Sequence, residues 1–203
     1  MKIICIGRNY TEHIKELNNE NPEEPVIFIK PDTALLRNNN PFFIPDFSRD
    51  VHHEVEVVVK IKKPGRHIPL SFAKDYYDEV ALGIDFTARD VQSNLKAKGL
   101  PWEKSKAFNG SAFVSKMLPF HSSVIENTIN FHLNLNENLV QSGNSSLMIW
   151  NVFELIEDIS KYFTLKTGDY IFTGTPAGVG PVQKGDLLSG YLTNDKLFDL
   201  TIL

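Results

Sequence analysis

Short runs of strand-forming residues follow one another along most of this chain, and that succession limits the folds open to it. The clearest run covers residues 129–135, where apolar and polar residues alternate strictly and place four large side chains on one face of a half-buried strand. Comparable runs occupy residues 2–6, 26–29, 55–61, 80–86, 170–172, 187–192 and 197–202. The chain is therefore predicted to be richer in strand than in helix.

Helix signals are fewer. The spacing of Asn9 and Glu12 is typical of a capping box and predicts a helix that ends near residue 17. The same spacing of Thr87 and Asp90 predicts a second helix, which ends at Gly99 because glycine commonly terminates helices.

The longest helix is predicted over residues 151–163, where apolar side chains recur at helical spacing, and Asn194-Asp195 is predicted to be a hairpin turn. Strands mostly follow strands and do not alternate with helices, which favours an α+β fold and disfavours a doubly wound sheet. With no linker-like window and no internal repeat, residues 1–203 are expected to form one domain.

Composition excludes several classes of protein. With 42% hydrophobic and 23% charged residues, the chain is neither disordered nor collagenous nor membrane-spanning in character. Its net charge of -4 makes nucleic acid an unexpected partner. Cys5 is the single cysteine and cannot close an intrachain disulfide, and the apolar run at residues 3–6 is too short for a signal peptide. A cytoplasmic location is the expectation.

The most informative segment is residues 52–59, HHEVEVVV. Residues two apart in a strand share a face, so Glu54 and Glu56 project together beside an apolar run. Two neighbouring carboxylates near a core repel each other and require a common cation, which could be lysine, arginine or a divalent metal. The alternative is a solvated face of an edge strand.

Asp85 ends the apolar run at residues 80–84 and lies at a strand end, where functional residues tend to collect, although a turn or capping role is an alternative. Three carboxylates without a required cysteine or histidine suit Mg²⁺, Mn²⁺ or Ca²⁺ better than zinc. Ligation by His52 or His53, as in a cupin-like fold, is a second possibility, but adjacent strand residues face opposite ways, so at most one could join the glutamates.

Two other regions carry candidate groups. Residues 173–180, TGTPAGVG, lack the ending of a P-loop and are predicted to be either a substrate-contacting backbone loop or a tight connection. His13 and Glu16 are three apart on the first predicted helix, where they could pair as a base and its orienting group or form an incidental surface pair. Lys106 has no distinguishing local signal.

Five separated motifs, in order over nearly the whole chain, together resemble the fumarylacetoacetate hydrolase family. They are residues 7–13 (GRNYTEH), 52–56 (HHEVE), 85–92 (DFTARDVQ), 98–102 (KGLPW) and 173–180 (TGTPAGVG). The likeness is greatest to the short, single-domain acylpyruvase and oxaloacetate decarboxylase branch. The resemblance implies layered mixed β-sheets with a few short helices, a homodimer, and a bound Mg²⁺ or Mn²⁺.

Carried over position by position, the resemblance implies roles for individual residues. The metal ligands would be Glu54, Glu56 and Asp85, and the catalytic residues would be His13, Glu16 and Lys106. Arg89, Gln92 and Thr175 would bind substrate. Relatives often carry a serine and a proline where this chain has Ala107 and Phe113, which could alter the fit of the substrate beside Lys106.

The resulting functional hypothesis is a divalent-metal enzyme that cleaves the C3–C4 bond of a small 2,4-dioxo acid or of oxaloacetate through a pyruvate enolate. The same enolate chemistry permits keto–enol tautomerisation or double-bond isomerisation, which is the alternative within the family. A metal-binding module without this chemistry, which would use His52 or His53, is the alternative of another class.

Overall fold

The computed structural model describes residues 1–17, 20–37, 40–119 and 128–203. These ranges contain fourteen strands: β1 Lys2–Gly7, β2 Val26–Pro31, β3 Val51–His53, β4 Val55–Ile61, β5 Tyr77–Asp85, β6 Thr87–Ala88, β7 Ala112–Val114, β8 Leu118–Pro119, β9 Asn130–Leu135, β10 Asn138–Asn144, β11 Tyr170–Phe172, β12 Gly180–Pro181, β13 Leu187–Leu192 and β14 Asp195–Thr201. They also contain five α-helices: α1 Thr11–Glu16, α2 Leu70–Ala73, α3 Arg89–Ala97, α4 Glu103–Lys106 and α5 Val152–Tyr162. The predicted strand-rich α+β class is confirmed.

The strands form three sheets. The largest has seven strands in the order β2-β1-β11-β4-β5-β7, with β8 also paired to β5. The β1–β11 pair is parallel and its other pairs are antiparallel. A four-stranded antiparallel sheet has the order β10-β9-β13-β14, and a small sheet has the order β12-β3-β6. The sheets are therefore layered and mixed.

The central strand β4 shows how the core is divided. Val55 and Val57 pack in a cluster with side chains of the four-stranded sheet, whereas Val59 and Ile61 pack on the same face against α5. Val58 points to the opposite face, into a third cluster. Because side chains alternate along a strand, Glu56 shares that opposite face with Val58. One face of the large sheet is covered by two apolar clusters, and the other carries the third cluster and the candidate site.

Two predicted helix starts are wrong in their capping residues. Helix α1 begins at Thr11 after Tyr10, with no side-chain cap, because the Asn9 side chain bonds to Trp150 and to the Thr173 carbonyl. Helix α3 begins at Arg89 because Thr87 lies in β6. In both places the side chain that the local spacing assigned to a helix cap, Asn9 or Thr87, instead forms hydrogen bonds with residues distant in the sequence.

The predicted long helix is present as α5, and the structure adds a capping box between Asn151 and Glu154. The predicted hairpin joins β13 to β14, but its turn is at Thr193-Asn194, with Thr193 at a φ of 56°. Within the described ranges, no helix is long and apolar enough to cross a membrane.

Candidate metal centre and active site

Three buried carboxylates meet at the end of the β4–β5 strand pair. Glu54 lies in the one-residue break between β3 and β4, Glu56 is the second residue of β4, and Asp85 ends β5. The Asp85 backbone N–H donates to the Glu54 carbonyl at 2.9 Å, so the register places these two residues opposite each other. Each residue offers an oxygen within 4.8 Å of the others, and none is more than 5% exposed. The edge-strand alternative for the two glutamates is thereby excluded.

Buried cations surround the three carboxylates. Lys106 Nζ donates to Glu54 Oε2 and Asp85 Oδ2, both at 2.7 Å, and to the Thr87 hydroxyl at 2.6 Å. Lys30 Nζ lies 2.7 Å from Asp85 Oδ1, and Arg89 pairs with Glu54 Oε1. Two of the three acids therefore have cationic partners from protein side chains.

These pairings shift the pKa values in opposite directions. Burial acts to raise the pKa of Glu54, but Lys106 and Arg89 outweigh it and hold that pKa well below its usual range. Burial also opposes the charging of Lys106, yet Asp85 and Glu54 raise its pKa above the ordinary lysine value. Lys106 is thus held as an ammonium group at the centre of the site.

Glu56 differs from the other two acids. Oε2 accepts a hydrogen bond of 2.6 Å from the Gly174 backbone N–H, and no described lysine or arginine pairs with the carboxylate. Burial, with the charges of Asp85 and Glu54, raises its pKa well above the usual range. A carboxylate in this setting lacks a counter-charge, and an all-oxygen donor set suits a hard divalent ion. The residues present therefore fit a divalent metal.

Gly174 can approach Glu56 because it has no side chain. Its φ is 102°, and a Cβ there would lie 2.7 Å from the Asn9 Cβ. Glycine adopts this left-handed conformation without the cost that other residues incur. The backbone loop at residues 173–180 thus contributes a main-chain donor to the acidic cluster.

The other predicted substrate residues lie on the wall of the same pocket. Arg89 Nη1 donates to Gln92 Oε1 at 2.7 Å, one helical turn away on α3. The pocket that contains the acidic cluster is also lined by Arg89, Gln92, His13, Thr175 and Lys106.

His13 and Glu16 form a dyad beside this pocket. His13 Nδ1 donates to Glu16 Oε2 at 3.0 Å, and Glu16 Oε1 accepts from the Gly178 backbone N–H at 2.9 Å. Helix α1 is thereby connected to the glycine-rich loop. His13 lines the pocket, while Glu16 lies behind it.

Gln141 fixes the position of Thr175. The Thr175 hydroxyl donates to the Val55 carbonyl at 2.9 Å and accepts from Gln141 Nε2 at 2.9 Å. Gln141 Oε1 also accepts a hydrogen bond from the Val55 N–H at 3.0 Å, which assigns Oε1 as the amide oxygen. Because Oε1 can only accept, His53 Nδ1, which lies 3.0 Å away, must carry a proton and donate it to Oε1. The His53 ring is therefore directed towards Gln141.

Neither candidate histidine joins the acidic cluster. His52 Nε2 contacts Asp50 Oδ1 at 2.9 Å, and His53 bonds to Gln141. Burial lowers the pKa of both rings. The geometry gives no support to ligation by either one.

Two buried contributors were missed by reasoning from the sequence. Lys30 has 0% exposure and ends an apolar run just before Pro31, a position where a charged side chain is unexpected unless it meets an acid. Gln141 lies in β10, whose pairing shifts register between Leu139 and Gln141. Only the buried lysine had a local signal, the charge at the end of an apolar strand.

Layered mixed sheets define a strand-rich α+β fold, and the buried triad of carboxylates beside a lysine defines a site suited to a hard divalent metal. The family model described as "Fumarylacetoacetate (FAA) hydrolase C-terminal" matches residues 2–196. The chain belongs to this family, as the five sequence motifs predicted.

Named relatives agree with that placement. The chain is 43% identical over 184 residues to "Oxaloacetate tautomerase FAHD1, mitochondrial" of Mus musculus, covering 91% of this chain and 83% of the relative. It is 42% identical over 205 residues to "Oxaloacetate decarboxylase, mitochondrial" of Dictyostelium discoideum, covering 99% and 94%. A crystal structure of fumarylpyruvate hydrolase from Pseudomonas aeruginosa, in complex with Mn²⁺ and pyruvate, superposes with a TM-score of 0.92 at 31% identity, covering 100% of this chain and 89% of that one.

These relatives are enzymes whose names cover tautomerase, decarboxylase and hydrolase activities. The predicted enzyme class is confirmed. The names of the relatives agree with both predicted reactions, cleavage of a C–C bond and keto–enol tautomerisation.

Proposed function

We propose that this chain is a divalent-metal-dependent enzyme that interconverts the keto and enol forms of a small 2-oxo acid of the oxaloacetate type. The observation that carries the proposal is the buried cluster of Glu54, Glu56 and Asp85 with Lys106 held between two of its members. Relatives named oxaloacetate tautomerase and oxaloacetate decarboxylase, each more than 40% identical, support this substrate class.

The three acids would hold the metal. A bound Mg²⁺ or Mn²⁺ would act as a Lewis acid on the C1 carboxylate and the C2 oxygen of the substrate. The Mn²⁺ complex of the Pseudomonas enzyme supports a divalent ion in general, and the choice of Mg²⁺ as the resident ion is part of this proposal.

Lys106 would move the proton. Because Asp85 and Glu54 keep it charged, its Nζ could deliver a proton to C3 as the enol becomes the keto form and then regain the proton that leaves the C2 oxygen. The reverse direction would use the same two transfers in the opposite order. Arg89, Gln92 and Thr175 line the pocket and would orient the substrate so that C3 faces Nζ. Short distances between donor and acceptor groups are what such a transfer requires.

Cleavage of the C3–C4 bond is a second candidate activity, favoured by the hydrogen-bonded dyad of His13 and Glu16. An acylpyruvate requires water to attack its distal carbonyl, and His13 would remove a proton from that water while Glu16 stabilises the charged ring. Loss of CO₂ from oxaloacetate needs no such water. The dyad is therefore the structural basis on which hydrolysis and the other two reactions should separate.

The main experiment measures oxaloacetate keto–enol interconversion by the change in enol absorbance, with Mg²⁺ or Mn²⁺ and then with EDTA. Pyruvate release is followed in parallel, so that decarboxylation is counted separately. We expect EDTA, Glu54→Gln and Lys106→Met each to abolish interconversion, while the exposed-site variant Glu24→Gln retains it. Full activity in EDTA or in Glu54→Gln would exclude the metal mechanism.

The second experiment compares His13→Ala with the wild-type protein on acetylpyruvate and on oxaloacetate. Hydrolysis of acetylpyruvate should collapse while oxaloacetate turnover persists. Equal loss of both activities would contradict the water-activating role.

The assembly and the location are further parts of this proposal. A homodimer of the single-domain chain follows the commonest oligomeric form, and size-exclusion chromatography with light scattering would measure it. A buried, unpaired Cys5 accords with a reducing compartment, for which the cytoplasm is proposed.

A further inference from the structure

Lys96 is a cation of the active-site pocket that none of the assigned roles uses. It lies seven residues after Arg89 and four after Gln92 on α3, so the three side chains share one face of the helix. All three line the pocket that contains the acidic cluster. Lys96 is only partly exposed, which places its charged group at the wall of the pocket and not in bulk solvent.

The partner of Lys96 differs from those of the other cations. Arg89 and Lys106 pair with Glu54, and Lys30 pairs with Asp85. Lys96 Nζ instead lies over the Trp102 ring, 5.0 Å from its centroid. Within the described ranges, no carboxylate forms an ion pair with it. Its ammonium group is thus supported by an aromatic face and retains the capacity to bind an anion.

The charges around Lys96 reinforce this point. Burial, together with the positive charges of Arg8, Arg89 and Lys106, lowers the pKa of Lys96 to about 8. An anion placed among these groups would offset their repulsion and favour the charged form of Lys96. The pocket therefore has an acidic floor, formed by Glu54, Glu56 and Asp85, which suits a dication. It also has a basic wall, formed by Arg8, Arg89 and Lys96, which suits an anion.

A substrate that fits both ends carries a carboxylate at each end. Its 2-oxo acid end would meet the acidic floor through the metal, and the basic wall would meet a second negative charge. A neutral acyl group in the same position would leave Lys96 without a counter-charge.

We propose that Lys96 binds the distal carboxylate of the substrate and thereby selects 2-oxo dicarboxylates over acylpyruvates with a neutral distal group. This inference rests on the proposed function and names its substrate class. Lys96 is a specificity residue in this scheme, because the proton transfer at C3 is assigned to Lys106.

The test compares Lys96→Met, Lys96→Arg and the matched control Lys98→Met, which alters an exposed lysine two residues further along the chain. Steady-state kinetics with Mn²⁺ are measured on oxaloacetate and on acetylpyruvate. Binding of malate and of 2-hydroxybutyrate, which differ in the distal carboxylate, is measured by calorimetry on the same Mn²⁺-loaded proteins. Thermal unfolding confirms that each variant is folded.

We expect Lys96→Met to raise KM for oxaloacetate and Kd for malate by about 10- to 100-fold, the range of a charge-assisted hydrogen bond. The values for acetylpyruvate and 2-hydroxybutyrate should change less than about twofold. Lys96→Arg should retain most of the preference for the dicarboxylate, and Lys98→Met should match the wild type.

Equal losses on the charged and neutral ligands would assign Lys96 a structural role and overturn the inference, and so would no loss on either. If Lys96→Met does not fold, Lys96→Gln takes its place. Loss of the preference for malate over 2-hydroxybutyrate in Lys96→Gln supports the inference, and a wild-type preference overturns it. This test can be separated from the test of the proposed function. A wild-type protein that turns over neither substrate would contradict the proposed activity. If that protein still binds malate in a Lys96-dependent way, the inference about Lys96 is supported.

Discussion

Replacing Glu56 by glutamine is expected to stabilise the metal-free protein and to abolish its response to divalent ions. Glu56 is 2% exposed, and its one protein hydrogen bond from a backbone donor comes from Gly174. Glutamine keeps the shape of the side chain and an acceptor oxygen for that N–H, but removes a buried charge that has no cationic partner among the described residues. It also removes one oxygen ligand of the proposed metal site.

The expected gain follows from the cost of the uncompensated charge. Removing an unpaired buried polar or charged group while its shape is kept changes the free energy of unfolding by about 1–3 kcal/mol. For a protein of this size each kcal/mol of unfolding free energy moves the midpoint of thermal unfolding by about 2–4 °C. The metal-free variant should therefore melt about 2–12 °C above the metal-free wild type. Metal binding should add about 2.7 kcal/mol to the unfolding free energy of the wild type when the free divalent ion is about a hundredfold above its Kd.

The pH dependence of the metal-free protein has a definite sign. The folded-state pKa of Glu56 is raised by burial, then by Asp85 and Glu54, so the folded state holds this proton more tightly than the unfolded chain does. The stability of the wild type should therefore fall as the pH rises from the ordinary glutamate range through the raised pKa. Glu56→Gln should lack that decline.

Thermal unfolding in EDTA and in Mn²⁺, repeated across this pH range, measures all three effects. Glu24→Gln changes an exposed glutamate and serves as the control, with wild-type behaviour expected in every condition. A Glu56→Gln protein that melts below the wild type in EDTA and still gains the wild-type increment from Mn²⁺ would refute the reasoning.

Two further substitutions test the support around the cluster. Lys30→Met removes the cation 2.7 Å from Asp85 Oδ1 and should destabilise the protein by about 3–5 kcal/mol in urea unfolding; a loss below about 1 kcal/mol would contradict a structural ion pair. Gly174→Ala places a Cβ on a residue with a φ of 102°, only 2.7 Å from the Asn9 Cβ. It should therefore lower Mn²⁺ affinity in calorimetric titration and reduce the free energy of unfolding by more than Gly185→Ala does. Gly185 has a φ of 97° and nothing within 4 Å of its Cβ position, so its substitution should cost only about 1–2 kcal/mol and leave Mn²⁺ affinity unchanged.

The part of the site that lies along strands could be predicted from the sequence. The strand period of two along residues 52–59 predicts that Glu54 and Glu56 lie on one side, and an apolar run ending in Asp85 marks a strand end. The sequence does not contain the register that places Asp85 opposite Glu54, because register depends on pairing between distant segments. The resemblance to a family, and not the local pattern, drew attention to Lys106.

Local rules failed where a distant partner competed for the same polar group. Asn9 has the spacing of a helix cap, but its amide instead joins the loop at Thr173 to the segment at Trp150. Thr87 has the same spacing, and its hydroxyl accepts from Lys106. In each case the polar group hydrogen-bonds to a buried cation or carbonyl, and that buried bond outweighs the modest gain of an exposed cap.

The hairpin of β9 and β10 has two parts that should respond differently to mutation. Its tip, Asn136-Glu137, is an exposed two-residue turn with both φ values positive. Because Asn136 is hydrogen-bonded to Asp186 and Leu187, insertions should be tolerated after Glu137. Gln141, four residues beyond the tip, uses both its amide oxygen and its amide nitrogen to connect Val55 with the glycine-rich loop. An engineer could therefore attach a peptide or a domain at the tip of this hairpin, provided that the register of Gln141 is preserved.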